Sequence, residues 1–265
     1  MRVGLITPEP GHPLLAAATA LLSPEHTVEA LDPLTPGDTT LPPADVYLLK
    51  SRTPHALELA RSLEGRGAAV LNSAAATALC QDRKEMAELA LRAGLPFAAT
   101  RMVGSLAAWV SATRLRAPVV VKSLRSRRGD LVARADDDAG LRELARAWPR
   151  EPVVVQEYAA NSGWDHKLWV VGDQVFAARR RSELSPGGRG PDLPLSLAEL
   201  PAGWAGLVRE VGAVFALDVY GVDIIDTGGG TPLIVDVNAF PGIRGQSGAP
   251  EALAALTLRR AAERA

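Results

Sequence analysis

The chain has 265 residues and a formal net charge of -1, with 47% hydrophobic and 22% charged residues. Such a near-neutral balance gives no reason to expect nucleic acid or an anionic membrane as partner, so any anion recognition must come from local clustering. The single cysteine, Cys80, excludes an internal disulfide, and His12, His26, His55 and His166 show no zinc-ligand spacing. The N-terminus lacks the apolar run of a signal peptide, and no stretch reaches the roughly 18 apolar residues of a membrane span. A cytoplasmic protein is expected.

Residues 2–6, 27–31, 45–50 and 68–71 read as short strands that alternate with helices over 13–22 and 55–63, so 1–72 is expected to form a small doubly wound α/β lobe. Neither GxGxxG nor GxxxxGK(S/T) occurs, which excludes the usual encodings of a dinucleotide site and a P-loop. A second lobe, 73–155, begins with one helix over 74–93 that Gly94-Leu95-Pro96 stops. Ser105 N-caps a helix to residue 114, and 118–122 and 130–135 are antiparallel strands joined by the basic segment Ser123-Leu124-Arg125-Ser126-Arg127-Arg128-Gly129. A helix over 140–148 and a strand over 152–158 follow. The third lobe, 156–265, starts with strands 167–171 and 174–181 that turn at Gly172-Asp173. A Gly/Pro-rich loop over 185–194, a long helix over 197–217, a hairpin and an amphipathic helix over 250–265 complete it.

The hairpin holds the densest chemistry. Residues 222–225 and 233–237 flank a glycine-rich turn, and a turn centred between Gly229 and Gly230 sets Asp223 opposite Asp236. Asn238 then shares their face, and Val222, Ile224, Val235 and Val237 share the other. Opposed carboxylates weaken a sheet unless something joins them, and a hard divalent cation held by Asp223, Asp236 and Asn238 would do so. Lys122 ends the apolar run VVVK, and Lys167 and Arg179-Arg180-Arg181 lie on adjoining strands. Gln156-Glu157-Tyr158 can offer backbone groups to a purine edge, with Asp165 placed for ribose hydroxyls. Taken singly, each of these reads equally as a solvated charge or strand end. Together they suit a polyphosphate bridged to metal.

These pieces stand in the order of the ATP-grasp superfamily, and the chain resembles its RimK-like ligases over nearly its whole length. The resemblance rests on Asn72-Ser73, Asp82-Arg83-Lys84, Ala93-Gly94-Leu95-Pro96, the strand ending in Lys122, Val155-Gln156-Glu157-Tyr158, Gly163-Trp164-Asp165-His166-Lys167, Gly221-Val222-Asp223 and Asp236-Val237-Asn238-Ala239-Phe240-Pro241-Gly242. It implies an ATP-grasp fold, α/β in class with α+β lobes, in which a Rossmann-like N-terminal lobe precedes two lobes that clamp ATP. Lys84 and Lys122 are implied at the phosphates and adenine side, Gln156, Glu157 and Tyr158 at the adenine hinge, and Asp165 near the ribose. Two Mg2+ ions, or Mn2+ in their place, are implied on Asp223, Asp236 and Asn238, with Lys167, Arg180 or Arg181, and Arg244 at the transferring phosphate. The implied reaction joins a small-molecule carboxylate to an amine through an acyl phosphate, with a peptide or carrier protein as an alternative acceptor. Oligomeric state is left open.

The chain also departs from that pattern. Family members commonly have Asp-Lys where this chain has Asp82-Arg83, so Arg83 competes with Lys84 for the phosphate contact. The usual glycine-rich loop is the arginine-rich 125–129 segment. Asp236 replaces the usual Glu, Lys167 the usual Arg, and the 182–194 segment is short. Those three features resemble the ATP-grasp inositol-polyphosphate kinases, which makes a kinase acting on a hydroxyl of a polyanionic small molecule the alternative. A nucleotide-binding module without turnover is the second.

Overall fold

Strand β1 (Arg2–Ile6) is an almost wholly apolar run, the pattern of a parallel strand covered on both faces. In the computed structural model, which describes residues 1–34, 43–127, 129–185 and 187–263, it lies inside a parallel sheet. Its neighbours are β2 (Thr27–Leu31), β3 (Val46–Leu49) and β4 (Ala69–Leu71), in the order β2-β1-β3-β4. Helix α1 (Pro13–Leu22) is N-capped by His12 and α2 (Pro54–Gly65) by Thr53, each with proline at the start, where its missing N–H does no harm. Val46 and Leu48 pack with Leu14 and Leu15 of α1, whereas Tyr47 and Leu49 pack with Leu57 and Ala60 of α2. Alternation along β3 thus puts helices on both faces, the doubly wound arrangement expected.

The single helix expected over 74–93 is two, α3 (Ala74–Leu79) and α4 (Arg83–Arg92). Asp82 breaks it: its carboxylate accepts the Lys84 and Glu85 N–H groups and so N-caps α4. Strand β5 (Thr100–Val103), absent from the sequence reading, joins β6 (Val119–Ser123), β7 (Val132–Ala135) and β8 (Val153–Glu157) in an antiparallel sheet of order β5-β8-β6-β7. Helices α5 (Leu106–Ala112) and α6 (Asp138–Ala147) cover one face, where Val119, Val121, Val153 and Val155 point. Val120, Lys122 and Gln156 alternate to the other face and line a cleft.

The far wall of that cleft is an antiparallel sheet of order β11-β10-β9-β12-β13. Its strands are β9 (Trp164–Val171), β10 (Gln174–Arg181), β11 (Leu193–Leu195), β12 (Val219–Asp226) and β13 (Pro232–Ala239). The long helix expected over 197–217 is a single 3-10 turn, Leu197–Glu199, followed by α7 (Trp204–Phe215). Pro201 cannot sit in a helix interior, and Gly203 enters α7 at φ 84°, a left-handed conformation that favours glycine. Helix α8 (Ala249–Ala262) ends the described chain.

The cores do not follow the boundaries expected at 72/73 and 155/156. Met86, Ala87 and Ala90 of α4 pack with Val208, Phe215 and Ile224 of the third lobe. Leu253 and Leu256 of α8 share a core with Leu14 and Leu15 of α1 and with Trp169 and Val171 of β9. Strand β8 runs through the second boundary to Glu157. The N-terminal and C-terminal lobes are therefore fused by apolar packing, with each fully buried side chain such as Leu253 contributing roughly 1.5–3 kcal/mol. The central sheet with α5 and α6 closes a separate core of its own.

Candidate active site

Cross-strand pairing arranges the cleft wall in rows. One row reads Ala178, Lys167, Asp223, Asp236 across β10, β9, β12 and β13. The next reads Arg180, Asp165, Ile225, Leu233, and on the other side Gly221 pairs with Asn238. Lys167, Arg180, Asp165, Asp223, Asp236 and Asn238 all line one cleft of about 1480 Å³. Sheet alternation alone brings together residues up to 73 positions apart in sequence, from Asp165 to Asn238.

Asp223 does stand opposite Asp236, but by another route than a simple turn. The pair Ile224–Ile234 centres the turn on Gly229, and a β-bulge between Asp223 and Ile224 then takes up one residue of β13. Val235 is the extra residue. It was expected in the core with Val222 and Val237, but the bulge turns it to the cleft and Ile234 takes the core position. The Val235 carbonyl accepts a hydrogen bond from Lys122 Nζ at 2.8 Å.

Four buried cations meet four carboxylates here. Lys167 Nζ donates to Asp223 Oδ2. Arg83, at the first position of α4, donates through Nη1 to Asp130 at 2.6 Å and to the Ser123 carbonyl at 2.8 Å, and its Nη2 lies 3.5 Å from Asp236. Burial opposes the Arg83 charge, but Asp236 and Asp130 outweigh it and raise its pKa. Arg180 Nε is 4.0 Å from Asp165 and is buried with no hydrogen-bond partner among the described residues. Lys122 is 6% exposed, and burial lowers its pKa against the pull of Asp236 and Asp223. Buried ammonium and guanidinium groups are costly unless anions meet them, so this density of charge needs a polyanionic occupant or paired carboxylates to hold it.

The other expected residues divide. Gln156 is buried and spends its side-chain amide on Thr100 Oγ1 at 2.9 Å, which leaves its backbone at the cleft edge. Glu157 and Tyr158 line the cleft, and the Arg134 guanidinium sits 3.8 Å from the Tyr158 ring centroid. Arg134 was not singled out in the sequence; alternation along β7 with Val132 is the signal that could have found it. Arg244 lines the cleft as an exposed residue near Gly242. Two expectations need correction. Lys84 is not in the cleft: it points along the solvent face of α4 to Glu88 at 3.2 Å, because only Arg83 of the pair faces the sheets. Arg181 lies on the face opposite Lys167 and Arg180, where it and Arg179 flank the Trp164 ring at 4.5 and 5.1 Å, although its strand-end position lets it touch the cleft mouth. In the basic loop, Arg125 pairs with Asp82 at 3.2 Å and Arg127 with Glu151 at 2.8 Å; Arg128 lies outside the described residues.

Asp223, Asp236 and Asn238 offer only oxygen donors, all on one cleft wall, which suits a hard divalent cation. Among the described residues no group of three His, Cys, Asp or Glu residues is arranged to hold a metal.

Two antiparallel sheets that face each other across a polyanion-sized cleft, one edged with cations and the other with a carboxylate row, have the architecture of an ATP-grasp clamp. The RimK-like ATP-grasp domain matches residues 80–255. The chain is 30% identical over 253 residues to the ribosomal protein bS6–L-glutamate ligase of Shigella boydii, covering 83% of this chain and 81% of that protein. Its fold matches a RimK domain ATP-grasp protein from Sphaerobacter thermophilus with a TM-score of 0.75 at 23% identity, over 97% of this chain and 100% of that one. It also matches the D-alanine–D-alanine ligase of Bacillus anthracis complexed with ATP, with a TM-score of 0.72 at 15% identity, over 99% and 98% of the two chains. The chain belongs to the RimK-like ATP-grasp family.

It is an ATP-dependent carboxylate–amine ligase, and the family uses ATP with a divalent metal. The kinase, raised by Asp236, Lys167 and the short 182–194 segment, and the module without turnover both give way to that assignment. No helix among the described residues is long and apolar enough to cross a membrane.

Proposed function

We propose that this cleft joins a small-molecule carboxylate to an amine while ATP becomes ADP and phosphate, with the following division of labour. The observation that carries it is the meeting of Lys122 and Arg83 with the Asp223–Asp236 row across the cleft. Lys122 and Arg83 bind the nucleotide phosphates, the backbone of residues 156–158 meets the adenine edge, and Asp165 accepts from the ribose hydroxyls. Two Mg2+ ions, or Mn2+, on Asp223, Asp236 and Asn238 would neutralise phosphate charge and hold the polyphosphate in line.

The substrate carboxylate oxygen attacks the γ-phosphorus as the bond to ADP breaks. Lys167 and Arg180 then stabilise the charge on the transferring phosphoryl group, and Arg244 that on the acyl phosphate. The amine attacks the acyl carbon, the C–O bond to phosphate breaks, and the amine loses a proton as the amide forms. Removing Lys167 from Asp223 frees both its ammonium and that carboxylate for these tasks. A peptide or carrier protein as acceptor is supported by the name of the Shigella relative, which pairs a ribosomal protein with L-glutamate. A reducing cytoplasm suits the lone, buried Cys80 thiol.

Hydroxylamine supplied with ATP, Mg2+ and a pool of carboxylates tests the chemistry. Hydroxamate and ADP in equal amounts are expected, and ATP binding without hydroxamate from any carboxylate would overturn the proposal.

A further inference from the structure

The carboxylates of the cleft sort by what already holds them. Asp130 and Asp236 lie against Arg83, and Asp223 against Lys167. Asp165 Oδ2 is 4.0 Å from Arg180 Nε. Glu9, Glu157 and Glu183 are exposed, so water serves them. Among the described residues of the cleft, Asp192 alone is neither paired nor exposed, and its Oδ1 is buried with no hydrogen-bond partner. An ionised carboxylate only accepts, so what this oxygen lacks is a partner that carries hydrogen.

The position of Asp192 says which partner. Strands β10 and β11 pair Arg179 with Leu193, and the same register continued by one residue sets Asp192 opposite Arg180, at the outer end of the row Arg180, Asp165, Ile225, Leu233. Residues opposite each other on neighbouring strands share a face with roughly 5 Å between their Cβ atoms. Arg180 is 6% exposed, and its Nε–H is likewise buried without a hydrogen-bond partner among the described residues. A donor and an acceptor thus stand side by side at the cleft, each unsatisfied and not joined to the other. An occupant that offers an oxygen to Arg180 and an N–H to Asp192 would satisfy both, and an acyl phosphate with an ammonium beside it is such an occupant.

We propose that Asp192 receives the ammonium group of the amine substrate and acts as the base for amide formation. The proposal rests on the ligase reading of the same cleft and supplies the proton acceptor that its second step needs. The ammonium gives one proton to Asp192, which exposes the nitrogen lone pair. Nitrogen then bonds to the acyl carbon, the C–O bond to phosphate breaks, and the departing phosphate takes the second proton. The products are the amide, hydrogen phosphate and protonated Asp192, so atoms and charge balance. Arg180, on the phosphoryl oxygen, holds the acyl phosphate next to the incoming nitrogen.

Hydroxylamine makes the proposal testable, because it is neutral at pH 7 and attacks an acyl phosphate without a base. The full chain is given ATP, Mg2+, a pool of carboxylates and either hydroxylamine or ammonium chloride, and hydroxamate and primary amide are quantified by mass spectrometry. In Asp192→Asn, an isosteric change, amide formation from ammonium should fall by roughly a hundredfold or more while hydroxamate formation stays within about twofold. In Asp192→Ala, added formate should restore amide formation severalfold by supplying the missing carboxylate. A loss shared equally by both nucleophiles, an unchanged amide-to-hydroxamate ratio, no rescue by formate, or hydroxamate without primary amide from the unmodified chain would overturn the role of Asp192. Absence of hydroxamate from the unmodified chain would instead strike the ligase reading itself, so the two failures are told apart.

Discussion

Lys122 of the central sheet donates to the Val235 carbonyl of the C-terminal sheet, so a buried ammonium bridges the two walls of the cleft without an ion pair of its own among the described residues. The carboxylates that pull on it, Asp236 and Asp223, are already held by Arg83 and Lys167, which leaves Lys122 without a counter-charge that an incoming phosphate would supply. Lys122→Ala should lose a charge-assisted contact of about 1.5–3 kcal/mol and weaken ATP binding roughly ten- to hundredfold. Isothermal titration calorimetry with ATP and Mg2+ checks this, and an unchanged affinity would place the phosphates elsewhere.

Replacing Asp236 separates metal from nucleotide. If Asp236 holds the metal as proposed, in Asp236→Asn the Mg2+-dependent part of ADP affinity should fall by roughly tenfold or more, while the Mg2+-free affinity stays level. Titration of ADP at several Mg2+ concentrations reads both parts. The same variant leaves Arg83 with Asp130 alone, so a modest loss of thermal stability should accompany it.

A pH effect on stability is expected from His166. Its ring meets Trp204 edge to face at 5.0 Å, and its Nδ1 is buried with no partner among the described residues. Burial lowers its pKa from 6.5 although Asp226 and Asp165 pull the other way and Arg179 adds to the lowering. The unfolded chain therefore takes up a proton before the folded one as the pH falls below 6.5, and stability falls over that window. His166→Phe should flatten the decline seen in denaturant titrations between neutral and mildly acid pH, leaving the part owed to His12, whose pKa is lowered in the same direction.

Gly212 is buried on α7 directly against Tyr220, whose hydroxyl donates to the Val208 carbonyl at 2.8 Å. A Cβ there would overlap the Tyr220 ring and hydroxyl. Gly212→Ala should cost about 1–3 kcal/mol through overpacking, outweighing the helix propensity that alanine adds, as chemical denaturation would report. The catalytic row lies on the other face of the sheet, so the remaining folded protein should keep its ATP affinity.

The chemistry was more legible in the sequence than its support. Asp223, Asp236, Asn238, Lys122, Lys167 and Arg180 could be named because sheet alternation and residue type act locally, and all six line the cleft. The bulge at Val235 could not be read, since one extra residue in a strand has no composition signal and the expected pairing survives it. Arg83 and Lys84 look equivalent as neighbours; only the N-cap at Asp82, a D-x-x-E pattern with Glu85 that was passed over, fixes which of them starts the helix facing the sheets. That His12 and Arg52 line the cleft was invisible in the sequence, because they reach it through lobe packing that unites residues more than 200 positions apart.

The separate core of the central sheet has a mechanical consequence. The N-terminal and C-terminal lobes cannot part without exposing buried leucines, whereas the central sheet with α5 and α6 is joined to them by the chain, a backbone bridge from Phe97 to Ile234 and polar ties such as those of Lys122 and Arg83. Opening this clamp exchanges polar contacts for water, which costs far less than unpacking a core. The central sheet is accordingly the part expected to move if the cleft opens, and bound nucleotide, by satisfying the same cations from between the walls, would act as the latch.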